Sequence, residues 1–152
     1  MSRRPGALFL AGLLLSGLGA CSKPLTVEQR IIATIREMEA KIEDGERVAF
    51  MTHFAQDFEG QGGMVNRDRV RAMVIFQLNR YKNLQAQLMP ILVSETSDTT
   101  ASATFSAIVT GGKGLLPESG QLFNFDTRWR LDDDEWLLYS ASWDPVTLDE
   151  AL

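Results

Sequence analysis

Near Asn83 the spacing of apolar residues changes from intervals of three and four to alternation, so the chain must fold as a helical first part and a sheet-forming second part. Thr26-Val27-Glu28-Gln29 fits a capping box, in which the Thr hydroxyl accepts from a first-turn amide while Gln29 reaches back. Ile31, Ile35, Met38 and Ile42 then form one stripe, with Arg30, Glu37, Lys41 and Glu43 on the other side. Asp44-Gly45 is a stop signal. Residues 46–55 read as a short second helix that sets Val48, Met51 and Ala55 against the first, with Phe50 and Phe54 beside them. Gly60-Gln61-Gly62-Gly63 reads as a flexible break. Asn66 caps a third helix whose apolar face is Val70, Met73, Val74, Gln77, Leu78 and Tyr81.

Beyond Asn83 the period is two. Leu84, Ala86 and Leu88 alternate with Gln85 and Gln87, and Pro90 requires a bulge or an edge, because it has no amide to donate to a ladder. Residues 100–110 alternate Ala101, Ala103, Phe105, Ala107 and Val109 with hydroxylated neighbours. Residues 121–131 send Phe123, Phe125, Trp129 and Leu131 one way and Asn124, Asp126, Arg128 and Arg130 the other. Asp132-Asp133-Asp134 turns the chain into residues 136–143, whose mixed pattern suits burial on both faces and completes an antiparallel meander.

A length of 152 residues suits one domain, and a net charge of −5 with a pI near 4.9 argues against phosphate-rich partners, so no nucleic acid is expected. The first 20 residues form a leader: Arg3 and Arg4, an apolar run from Ala7 to Leu15 too short to span a bilayer permanently, then small residues. Leu18-Gly19-Ala20-Cys21 resembles the lipobox of bacterial lipoproteins. That resemblance implies cleavage before Cys21 and acylation of its thiol and new amino terminus, a firm hold on a membrane leaflet. By the same resemblance Ser22, where Asp would retain such a protein at the inner membrane, implies the periplasmic face of the outer membrane. Residues 21–25 then serve as a lipidated tether, 26–146 as the folded domain and 147–152 as a tail. Loss of Arg3 and Arg4 from the 15 basic residues, against 20 acidic ones, makes the processed chain more acidic still.

The order of helix, short helix, glycine break, helix and four long strands resembles the nuclear transport factor 2-like superfamily, also called SnoaL-like or ketosteroid-isomerase-like. The residues that carry the likeness are Phe54-Ala55-Gln56-Asp57-Phe58, the 66–81 helix and Trp136-Leu137-Leu138-Tyr139-Ser140-Ala141-Ser142-Trp143. The resemblance implies an α+β cone, three N-terminal helices packed on a curved antiparallel sheet, whose mouth holds an apolar ligand, a catalytic site or a dimer contact. Fold alone does not choose among these.

The resemblance implies that catalysis in such a cone would use an acid, a His or a Tyr on the concave face, as the family's isomerases and dehydratases do. The inward positions of the two long strands hold only Gln121 and Thr127 as polar residues, and neither is a competent base. His53, the sole His, reads as solvated, and Asp57 as a surface acid at the start of the first strand. An isomerase-like or dehydratase-like enzyme using His53 or Asp57 is the runner-up reading. Without a paired His or further Cys, neither a metal site nor a cofactor is expected. Gly111-Gly112-Lys113-Gly114 lacks the spacing of a phosphate loop and reads as a hairpin loop. The adjacent Leu115 and Leu116 must fold over the core or contact something. The residues expected to line a pocket are Phe76, Tyr81, Phe105, Phe123, Phe125 and Trp129. The favoured reading is a non-catalytic module that takes a small apolar ligand or a protein partner; a structural envelope protein that dimerises through its outer sheet face is the third.

Overall fold

A computed structural model describes residues 23–114 and 117–147; the leader, Cys21, Leu115, Leu116 and the last tail residues lie outside them. The chain runs α1 (Val27–Glu43), α2 (Arg47–Thr52), β1 (Phe54–Gly60), a 3-10 turn (Gln61–Gly63), β2 (Val65–Asn66) and α3 (Arg67–Arg80). It continues with β3 (Asn83–Leu88), β4 (Leu92–Ser97), β5 (Thr100–Gly112), β6 (Ser119–Asp132) and β7 (Glu135–Pro145). The strands form one sheet in the order β2-β1-β7-β6-β5-β3, with β4 also on β5, and the helices pack on its concave side.

Local chemistry places the helices. The capping box at Thr26 and Gln29 is formed, and Gly45 ends α1 at a φ of 73°, a left-handed conformation that glycine adopts without strain. Ile31, Ile35 and Met38 are buried as their spacing predicts. The second helix is shorter than the expected 46–55. It stops at Thr52, Val48 is 74% exposed, and Phe54 and Ala55 are buried within β1. A run in which Phe54 and Phe58 both face the core fits helical spacing of four and strand spacing of two equally, and packing on β7 selects the strand.

β1 runs parallel to β7, so the sheet is mixed; the meander of β5, β6 and β7 is antiparallel as expected. The parallel pair joins strands with the whole helix-and-meander segment between them, and no local pattern encodes such a partner. The Gly60–Gly63 segment is a tied turn rather than a flexible break. The Gln61 carboxamide bridges to β7 by donating to the Trp143 carbonyl (2.8 Å) and accepting from its amide (3.3 Å). Gly60 itself lies under the Trp143 ring, where a Cβ would approach ring carbons to 3.1 Å.

Across β5 and β6 small residues face large ones where Ala101 opposes Trp129 and Ala107 opposes Phe123, whereas Phe105 opposes Phe125 with rings stacked 5.1 Å apart. β7 carries a bulge, because Arg128 opposes Ser140 while Trp129 opposes Leu138, leaving Tyr139 as the additional residue. Its mixed sequence pattern is therefore a phase shift, which brings both Leu138 and Ala141 inward. Pro90 interrupts the edge between β3 and β4, and both segments remain paired to β5.

The β3 edge is closed by a helix. Glu39 accepts from the Leu88 amide (3.2 Å) and Glu43 from the Ala86 amide (2.9 Å). Four residues of helix advance about 6 Å and two residues of strand about 7 Å, so an i,i+4 carboxylate pair matches successive outward amides of an edge strand. Replacing either glutamate by alanine should cost about 1 kcal/mol in urea denaturation, with faster hydrogen exchange at Ala86 and Leu88 before any other strand; unchanged exchange there would contradict the clamp.

Candidate functional site

α3 is held by its N-terminal end. The Arg67 guanidinium donates to the carbonyls of Met51 (2.9 Å) and Phe54 (3.4 Å), and Asn66 caps the helix by accepting from the Arg69 amide (2.9 Å). Of the expected face only Val70 is buried, and Met73 is 44% exposed. The remainder of α3 stands off the sheet and leaves a hollow of about 320 Å³ between α1, α3 and the concave strands.

The deep end of the hollow is formed by Phe58, Trp129 and Leu138, all buried, and the open end by Met73 and Gln77 of α3 with the half-buried Val109 and Phe123. Phe105, Phe123, Phe125 and Trp129 line it, as do Phe50, Phe54 and Trp143. Two of the expected lining residues are elsewhere. Phe76 points to solvent, 59% exposed, because it falls on the far side of α3 from Val70 and Val74. Tyr81 covers Gly111, where an added Cβ would lie 2.6 Å from its ring. Gly111 and Gly112 are thus buried strand residues, and the loop begins only at Lys113.

Besides the indoles of Trp129 and Trp143, three side chains with polar groups reach the hollow, and the donors and acceptors of two of them are engaged. The Thr127 hydroxyl donates to the Ala103 carbonyl (2.6 Å) and accepts from the Trp129 indole (2.9 Å). Glu39 accepts from the Leu88 amide through one oxygen and from Arg36 (3.0 Å) through the other. Gln77 is free of hydrogen bonds through its carboxamide among the described residues. Glu39 escaped the sequence reading because it flanks Met38 and Ile42 as a charge at the margin of an apolar stripe, which ordinarily marks the solvent boundary. Its place beside the apolar core was visible only as spacing of four from Ile35.

Neither residue considered as a base lies on the hollow. His53, at the end of α2, is half-buried rather than solvated: its side chain is 15% exposed, with Nε2 3.9 Å from a Glu37 oxygen. Burial pushes its pKa below the ordinary 6.5, and Glu37 opposes that shift. Asp57 is an exposed acid of the outer face, inside β1 rather than at its start. Arg130 grips it with two hydrogen bonds of 2.9 and 2.6 Å, which hold its carboxyl below the usual range, the opposite of a base tuned toward neutrality. Arg130 also lies over the Tyr139 ring, 5.8 Å from its centroid, so Tyr139 belongs to the outer face. Among the described residues no group of three or more potential ligands could hold a metal ion.

No protein-family model matches the sequence, and no curated protein matches it. Solved structures do resemble the fold. A candidate scytalone dehydratase of Novosphingobium aromaticivorans superposes with a TM-score of 0.69 at 10% identity, over 79% of this chain and 84% of that one. A candidate dehydratase of the NTF2-like family from Streptomyces avermitilis gives 0.66 at 20% identity, over 78% and 94%. An NTF2-like protein with a cystatin-like fold, also from N. aromaticivorans, gives 0.66 at 16% identity, over 82% and 84%. The architecture is therefore α+β and NTF2-like, a curved, unclosed sheet around three helices.

The placements generate two expectations. Thr127→Val removes the acceptor of a buried indole and should destabilise the fold by roughly 1–3 kcal/mol, with a changed near-ultraviolet spectrum; a neutral effect would mean that the Trp129 indole finds another partner. His53 favours its neutral form in the folded state, so its contribution is complete above pH 6.5 and declines as pH falls through its depressed folded value. Asp57 acts lower, its ion pair being lost as pH falls beneath the ordinary 3.8 and through its lowered value. Denaturation across pH should show His53→Gln flattening the upper limb and Asp57→Asn the lower; both limbs surviving in the double variant would refute the assignment.

Proposed function

We propose that this chain is a lipid-anchored module of the bacterial cell envelope, held at the periplasmic face of the outer membrane through Cys21. Its hollow binds a small apolar molecule or partner segment without chemical conversion. One observation carries the binding reading: an apolar cavity of about 320 Å³ in which the only ionisable lining residue, Glu39, has both oxygens engaged. Such a volume sits at the small end of ordinary ligand pockets, and aromatic walls with few polar groups are their usual composition. Proton abstraction in the hollow would need a base within hydrogen-bond reach of a ligand, and His53 and Asp57 are placed elsewhere. The outer sheet face pairs polar groups internally, Asp57 with Arg130 and Ser106 with Asn124, whereas the hollow is lined almost wholly by apolar side chains, and this contrast supports binding in the hollow.

The leader and the Leu18-Gly19-Ala20-Cys21 sequence support the anchor. Labelled palmitate should enter the wild-type protein in the outer-membrane fraction and be absent from Cys21→Ser. Native mass spectrometry after exposure to an envelope lipid extract should reveal an apolar adduct, and Val109→Trp, which fills the open end of the hollow, should abolish it. Label retained by Cys21→Ser would sink the anchor, and an adduct unaffected by Val109→Trp would sink the cavity as its seat.

A further inference from the structure

We propose that the hollow selects uncharged amphiphiles on the order of ten carbons long and rejects the corresponding carboxylates, an inference that rests on the binding reading above and names its ligand class. Size comes first. A water molecule takes about 30 Å³ of liquid and a methylene group takes a similar share, so 320 Å³ holds on the order of ten such groups.

Charge comes second. Among the described residues no Lys, Arg or His lines the hollow, so a carboxylate drawn into it would shed its water and find no cation. Guanidinium groups around it are engaged: Arg36 is bound to Glu39, Arg67 to the carbonyls of Met51 and Phe54, and Arg80 lies 5.4 Å from the centroid of the Tyr81 ring. Of the two α1 carboxylates turned onto β3, Glu39 lines the hollow already paired with Arg36, and Glu43 lies one turn further on, outside the lining. Neither supplies the cation an anionic head group needs.

The polar end of a ligand has a seat at the open end. Gln77, on the α3 side of the opening, offers a carboxamide with both donors and an acceptor and no bond of its own, which suits a hydroxyl, an ester or a ketone. The hydrocarbon then runs inward past Phe125 toward Trp129 at the deep end, where Thr127 offers a polar group no donor because its hydrogen goes to the Ala103 carbonyl.

Trp129 and Trp143 line the hollow and supply the readout. Intrinsic fluorescence of the purified full chain should be titrated with 1-decanol and with decanoate at pH 8. The expected result is at least tenfold tighter binding of the alcohol, with Gln77→Leu, an exposed helix position, weakening the alcohol roughly tenfold while circular dichroism is unchanged. Decanoate binding as tightly as 1-decanol overturns the selectivity and leaves the binding reading standing. Alcohol affinity unmoved by Gln77→Leu overturns the seat at that carboxamide. No response to either probe overturns this inference and the binding reading together.

Discussion

The cross-strand pairing of small residues on β5 with aromatic residues on β6 sets the shape on which the rest depends. Ala101 and Ala107 give Trp129 and Phe123 room on a concave surface where two facing aromatics at every position would collide, while the Phe105 and Phe125 pair stacks once, midway. The β7 bulge at Tyr139 bends the adjoining strand in the same region. α1 fills one part of the resulting concavity with Ile31, Ile35 and Met38. α3 cannot fill the other, because Arg67 and Asn66 fix its beginning to the α2–β1 junction and to its own cap, far from the middle of β5 and β6. A hollow follows from where the third helix is tied.

Much of this architecture was legible in the sequence, for reasons that differ by element. α1 was legible because capping, stripe and stop all agree, and β5 and β6 because alternation over more than ten residues has no helical reading. The 54–58 segment was not, since Phe54 and Phe58 satisfy both periods and the deciding partner, β7, lies some eighty residues away. The Gly60–Gly63 segment has the composition of a loose linker, yet Gln61 behaves as an added strand residue against Trp143, a role no glycine count can announce.

The candidate site divides along the same line. Phe105, Phe123, Phe125 and Trp129 face the hollow because strand alternation assigns a face outright. Phe76 and Tyr81 were misplaced because they belong to a helix whose rotation depends on a tie at its other end, so that apolar character alone did not fix which way they point. Glu39 was passed over for a related reason: a carboxylate beside an apolar stripe reads as solvent boundary, and the edge amides that draw it inward lie on β3, known only once the sheet is assembled.

An apolar hollow of this size also bears on stability. A closed void of about 320 Å³ would cost on the order of 8 kcal/mol at the usual cavity coefficient, comparable with the whole net stability of a small domain. The open end lowers that figure by admitting water, yet water gains little among Phe50, Phe125 and Trp143, whose walls offer it few partners. Ala86, Ala107 and Ala141 all face the space, and a larger aliphatic side chain at any of them would shrink it. Under the proposed binding reading, an apolar occupant would relieve a void that three alanines leave open, and occupancy and folding would be linked: a molecule that enters the folded form and not the unfolded one raises stability with its concentration.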